Sequence, residues 1–151
     1  MNAATNNRTW DALTVLKDAG AVTSSGVGQV GGSNKIIDLG GDPSGSTVAP
    51  TAGMGAGPNT PADCLIDVSA CDSADGNETY VVYIELSNSS SFASGNIVAA
   101  QIPITRGSTG RFILPFSNWQ QRTYYRYARV GHTLGGTTPS INYIARLGKA
   151  A

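Results

Sequence analysis

Charge is scarce in this chain. Asp, Glu, Lys and Arg make up 13% of its 151 residues, about half the roughly 25% of an ordinary soluble domain. The surface is therefore expected to be largely neutral. Ten basic residues cancel ten acidic ones, so no net field steers the protein toward nucleic acid or an anionic membrane, and neither is expected as a partner. A neutral surface rich in Ser, Thr, Asn and Gly is poorly protected against association, which suits a protein whose surface is covered by neighbours.

Histidine is nearly absent. His132 is the only one, which excludes His-rich metal sites and leaves a single imidazole to serve as a general base. A hydrolase of the nucleophile-elbow type would need Gly-x-Ser-x-Gly, and the chain has none. His132 lies in Val130-Gly131-His132-Thr133-Leu134-Gly135-Gly136, which reads as a turn-like stretch after a strand, so it is expected to be a loop histidine. Cysteine is scarce too. Cys64 and Cys71 sit in no motif that activates a thiolate; free thiols are the first reading and an incidental disulfide the alternative. No apolar run approaches the roughly 18 residues that span a bilayer, and residues 1–10 lack the apolar stretch of a secretory signal, so synthesis in the cytoplasm is expected. Neither an enzyme nor a cofactor is expected.

Two stretches spell chemistry without its context. Gly26-Val27-Gly28-Gln29-Val30-Gly31 has the letters of a dinucleotide-binding turn, but that turn works by presenting phosphate to a helix N-terminus. Here a β-type run, residues 35–39, follows instead, and a glycine-rich connection between strands is expected. Asp72-Ser73-Ala74-Asp75-Gly76-Asn77-Glu78 gathers three carboxylates yet lacks the alternating Asp register and distal Glu of a calcium loop. It reads as a solvated turn. Asn77-Glu78-Thr79 and Asn88-Ser89-Ser90 are glycosylation triplets in spelling only.

What the chain does have is β pattern. At this length one folding unit is expected. Short runs broken by turn residues point to strands over residues 21–25, 35–39, 65–69, 79–86, 97–104, 111–115, 123–130 and 141–147, about eight in all. The clearest is 79–86, where Tyr80, Val82, Ile84 and Leu86 alternate with Val81, Tyr83 and Glu85. Such lengths and connections predict an all-β antiparallel sandwich or barrel. Before it, residues 9–20 place Trp10, Leu13 and Leu16 at helical spacing between an N-cap threonine, Thr9, and a terminal glycine, Gly20. Residues 1–20 are thus expected to form a short helix or ordered arm, and 21–151 the domain.

Residues 40–63 hold six Gly and four Pro and predict a long loop, either an arm that orders on a partner or a surface loop without fixed contacts. Met54 is its expected anchor. Residues 87–95 form a second Ser/Asn-rich stretch around Phe92, expected to anchor in the core or on a neighbour. The C-terminal third interleaves Phe112, Phe116, Trp119, Tyr124, Tyr125, Tyr127 and Tyr143 with Arg111, Arg122, Arg126, Arg129 and Arg146. Core and protein interface are the expected uses of these groups, with stacking on sugar or bases weighed as less favoured. Trp119 and Arg122 lie together in a polar loop. Partner-binding residues are accordingly expected among Trp10, Leu13, Leu16, Met54, Phe92, Trp119 and Arg122.

Two segments taken together resemble a known family. Asp18-Ala19-Gly20-Ala21-Val22-Thr23, a Ser/Gly step, and then Asn34-Lys35-Ile36-Ile37-Asp38-Leu39-Gly40 resemble the N-terminal pattern of the capsid cement, or decoration, proteins of tailed bacteriophages, of the type first described in a Bordetella phage. Glu85-Leu86-Ser87 with Ser91-Phe92, Tyr125-Arg126-Tyr127-Ala128-Arg129-Val130, and Gly135-Gly136-Thr137-Thr138-Pro139-Ser140 leading to Ala145-Arg146-Leu147 resemble that family's later strands. The long stretch 40–63 and the cysteines depart from its pattern. The resemblance implies a jelly-roll sandwich forming dimers or trimers on the outer surface of a virion's icosahedral head. There it would tie major capsid protein subunits together, with no catalytic residues to carry over. The alternative is a carbohydrate- or receptor-binding jelly roll, such as a head fibre or tail component, using Trp119 as a sugar platform.

Overall fold

The computed structural model describes residues 15–39 and 61–149. Among them there is no helix, and none therefore long and apolar enough to cross a membrane. The strands, numbered in chain order, form two antiparallel sheets. In the first, β1 (Val15–Lys17), β14 (Ile141–Lys149), β7 (Pro61–Cys71) and β10 (Gly110–Ser117) lie side by side in that order, and β2 (Ala21–Val22) also pairs with β14. In the second the order is β3 (Gly26–Val27), β13 (Tyr127–Gly135), β8 (Thr79–Ser87) and β9 (Ile97–Ile104), with β6 (Ile37–Asp38) also on β13. Two small hairpins stand outside the sheets, β4 (Gln29–Val30) with β5 (Ser33–Asn34), and β11 (Trp119–Gln120) with β12 (Thr123–Tyr124).

Alternation in the sequence builds the sandwich. Along β8, Tyr80, Val82, Ile84 and Leu86 are buried while Val81, Tyr83 and Glu85 face the other way and are half-buried. The facing strands follow suit. Ala128 and Val130 of β13 join them from the same sheet, and Cys64, Ile66 and Val68 of β7, Leu114 and Phe116 of β10, and Ile141, Tyr143, Ala145 and Leu147 of β14 close the core from the other. Each fully buried Leu or Ile stabilises the fold by roughly 1.5–3 kcal/mol. A slip of one residue in register would turn that whole face outward, so the pattern fixes the pairing. One close approach depends on glycine: a Cβ at Gly131 would lie 2.3 Å from a ring carbon of Tyr83, its cross-strand partner on β8.

The strands expected at 79–86, 97–104 and 141–147 appear at or within a few residues of those bounds, while β7 and β10 run longer than 65–69 and 111–115. Residues 61–63, expected in the long loop, belong to β7, where Pro61 is paired with Ser117. The strand expected over 21–25 is only β2, and that over 35–39 only β6. The one over 123–130 breaks into β12 and β13 because Asn118 and Asn88 take the backbone between them: Tyr125 N–H donates to the Asn118 carbonyl at 2.8 Å and Arg126 N–H to Asn88 Oδ1 at 2.9 Å.

The helix expected over 9–20 is corrected where it can be seen. Val15–Lys17 is a strand paired with β14, Val15 opposite Arg146 and Lys17 opposite Ala145. Leu16 satisfies either period, and it is wholly buried in the sandwich. Lys17 beside it is buried as well, although it carries a charge. Residues 1–14 and 40–60 lie outside the described residues, and with them Trp10, Leu13 and Met54. The glycine-rich 26–31 stretch does join strands, β3 to β4, with no helix after it.

Candidate interaction surface

Two of the buried polar residues, Lys17 and His132, gather around Tyr143. Lys17 Nζ donates to the backbone carbonyls of Asp18 at 2.7 Å, Gly20 at 2.9 Å and Tyr143 at 2.9 Å, and lies 4.5 Å from the centre of the Tyr143 ring. His132 is not a loop residue as expected but sits in β13, 3% exposed, with its Nδ1 2.8 Å from the Tyr143 hydroxyl. The turn-like reading failed because Gly131 and Gly135 are there for close packing, against Tyr83 and Thr79, rather than for bends.

Burial, with the nearby Lys17 charge, lowers the His132 pKa to about 4, while a hydrogen bond to the Ser24 backbone works the other way. A bond that favours the charged ring is one the ring donates, so the neutral imidazole donates toward Ser24 and accepts the Tyr143 proton at Nδ1. Burial raises the Tyr143 pKa and lowers that of Lys17. Every donor in the cluster is already used. It lies beside a polar cavity of about 660 Å³ whose lining includes Lys17, Ser24, Gly26 and His132, but no hydrogen bond links His132 to a serine hydroxyl or a carboxylate among the described residues. Its chemistry is that of a latch holding β1 to β13 and β14.

The connections divide between two ends of the sandwich. Residues 72–78, 105–109 and 136–140 meet at one end and satisfy each other. Asp72 N–H donates to the Ser140 carbonyl at 2.8 Å, Gly107 N–H to the Cys71 carbonyl at 3.1 Å, and the Tyr80 hydroxyl to the Asp72 carbonyl at 3.1 Å. Thr138, a β-branched residue at φ 49°, donates its hydroxyl to Asp75 Oδ2 at 2.7 Å, and Asn77 and Thr137 exchange two bonds. Glu78 is buried and accepts the Asp75 N–H at 2.6 Å, so this turn is less solvated than expected. No group of three His, Cys, Asp or Glu able to hold a metal exists among the described residues.

The opposite end carries residues 88–96 and the β11–β12 hairpin. Asn88 clamps the hairpin's base by donating to the Tyr124 carbonyl at 2.7 Å. Arg126 pairs with Asp38 through Nε and Nη2, the latter at 2.8 Å, and this raises the Arg126 pKa further. Arg129 pairs with Glu85 at 2.6 Å and stacks over Phe92, its guanidinium carbon 4.3 Å from the ring centre. Trp119 at the hairpin's start is 43% exposed. The turn residues Gln121 and Arg122 both have positive φ, 49° and 64°, as a two-residue primed hairpin turn demands.

The expected contact residues therefore separate. Leu16 is core. Phe92 is buried in its own domain under Arg129, the first of the two roles expected for it. Trp119 and Arg122 both lie on the β11–β12 hairpin, Trp119 on its first strand and Arg122 in its exposed turn. Sequence reasoning missed Lys17, Asn88 and the Asp38–Arg126 pair; the only signal for the last was two charges in a chain that has few. The cysteines are free, and burial beside Asp63 raises the Cys64 thiol to about 12. No protein-family model matches the chain, and no curated protein sequence matches it.

Proposed function

We propose that this protein is a structural cement, or decoration, subunit of a phage capsid and not an enzyme. It would bind the outer surface of an icosahedral head as a homo-oligomer and tie major capsid protein subunits together. The strand order carries this reading. Taking β1 with β2 and β3 with β6 as single positions leaves four positions in each sheet. Numbered along the chain, the first sheet then runs 1-8-3-6 and the second 2-7-4-5. This order favours a jelly roll, the fold the resemblance to cement proteins implies.

Because a fold by itself serves many functions, two further features support the reading. Charged residues are 13% of the chain, and the buried His132, Lys17 and Tyr143 are occupied by each other and by backbone. A protein that gains affinity by repeating modest contacts through symmetry needs no deep pocket. The test is to mix purified protein with undecorated heads and measure bound copies per lattice site. Saturation at a fixed number supports the reading, and no binding refutes it. The exposed Trp119 favours one rival, a glycan-binding module of the virion, for which binding to a glycan array by the isolated protein is the check.

A further inference from the structure

We infer that residues 15–34 form an acid-released strap: a proton taken up by His132 sets its ring against the Lys17 ammonium and frees this segment while the rest of the sandwich stays folded. The cluster around Tyr143 is divided between strap and body. Lys17 and the Ser24 backbone lie on the strap, whereas His132 and Tyr143 belong to β13 and β14. Tyr143 joins the two sides, its carbonyl accepting from Lys17 Nζ at 2.9 Å and its hydroxyl meeting His132 Nδ1 at 2.8 Å. A protonated ring has two donors and no acceptor, so the Tyr143 hydroxyl then loses the acceptor of its proton. Two positive charges would also face each other across the seam, both on buried side chains and weakly screened.

The groups around His132 leave that second charge unanswered. β1 brings Lys17 and β14 brings Tyr143, while the direct partners of His132 across the sheet, Val82 on β8 and Gly26 on β3, carry no charge. Beyond Tyr143 stand Cys64 of β7 and Tyr83 of β8, weak acids that burial makes weaker still. Asp18 is the one carboxylate lining the adjacent cavity, and its Oδ2 accepts the Gly31 N–H at 2.7 Å. That polar cavity of about 660 Å³, bounded by both Lys17 and His132, gives a proton a route to the seam.

Elsewhere the strap is lightly held. Within residues 15–34 only Leu16, Lys17 and Gly28 are buried, and the strands are two or three residues long. Beyond those short pairings, Gly20 N–H donates to Asn142 Oδ1 at 2.8 Å, Gly28 N–H to the Val130 carbonyl at 2.8 Å, and Leu134 N–H to the Ser25 hydroxyl at 2.9 Å. Segments that bury so few apolar side chains open locally before the core does. Opening stops at β6, where Ile37 and Leu39 are buried and Asp38 is paired with Arg126.

Proton linkage sets the size of the effect. The folded ring titrates at about 4, lowered first by burial and then by the Lys17 charge, and an opened strap returns it toward the roughly 6.5 of a free histidine. The open form holds the proton more tightly. Opening is therefore least favoured above about pH 6.5 and grows as pH falls toward 4, by at most about tenfold per pH unit and about 300-fold in all. Release requires no partner, so it stands or falls apart from the cement reading.

The experiment is hydrogen exchange on the whole chain between pH 7 and 4, read as protection factors, with His132→Gln alongside and the wild-type His132 ring followed by NMR. In wild type, protection across residues 15–34 should fall roughly 100-fold while β7 and β8 keep theirs, and the fall should track the titration of the ring. In His132→Gln the strap's protection should stay flat. Loss of protection in the strap and β8 together, or a strap equally protected at pH 7 and pH 4, overturns the inference. So does a His132→Gln strap that opens with the wild-type pH dependence. Should that variant fail to fold, wild type alone decides: a ring that titrates while the strap stays protected overturns it, and one that titrates only as the strap opens upholds it.

Discussion

The Tyr143 hydroxyl and the His132 imidazole meet at 2.8 Å inside the sandwich, their rings edge to face with centroids 5.9 Å apart. Lys17, the cation that faces this pair from β1, makes a second positive charge costly. The folded His132 pKa of about 4 lies below the roughly 6.5 of a free histidine. The unfolded chain therefore binds the proton first. His132 contributes stability in full above about pH 6.5, and that contribution is lost as pH falls toward 4. Denaturant midpoints measured across this window should drop, with a slope of at most about 1.4 kcal/mol per pH unit from this one proton. His132→Gln should be less stable at pH 7 yet flatter between pH 6.5 and 4. A variant with the wild-type slope would exclude His132 as the source.

Lys17 holds the first strand by its charge and not by its apolar stem alone. Lys17→Met keeps the length and removes the donor to the carbonyls of Asp18, Gly20 and Tyr143. A loss of about 2–3 kcal/mol is expected, since buried acceptors are left without a partner. Hydrogen exchange should show β1 and its partner β14 loosening before β7 and β8. Unchanged stability would mean that water replaces the ammonium at all three carbonyls.

Sequence pattern was most legible where burial follows a simple period. Strand β8 could be read because each alternate residue is apolar and nothing interrupts it. Leu16 and Lys17 could not, because a two-period and a 3.6-period pattern coincide over so few residues, and because the partner of the lysine is backbone, which composition does not display. His132 was misplaced for a related reason. A glycine flanking it signals a turn when it serves flexibility and a strand when it admits a ring, and only the position of Tyr83 distinguishes the two. At the candidate site, Trp119 and Arg122 were visible as neighbours in one polar loop. Their turn had no clear signature, since neither Gln121 nor Arg122 is the Asn or Gly that its positive φ values favour.

Gly131 offers a direct test of that packing. Gly131→Ala places a methyl group inside the space of the Tyr83 ring and should destabilise the fold by about 2–3 kcal/mol, as overpacking does. Tyr83→Ala removes the obstacle. In a double-mutant cycle the two changes together should cost less than their sum by about 1 kcal/mol or more. Additive losses would show that the glycine answers some other constraint.

The β11–β12 turn stores backbone strain. Gln121 and Arg122 occupy left-handed backbone that Asn and Gly adopt far more readily. Replacing the pair, Gln121→Asn with Arg122→Gly, should raise stability by about 1–2 kcal/mol by removing strain of the order that such residues store. Thermal unfolding of the double variant measures it, and a fall in melting temperature would mean that the native side chains make contacts worth more than the strain.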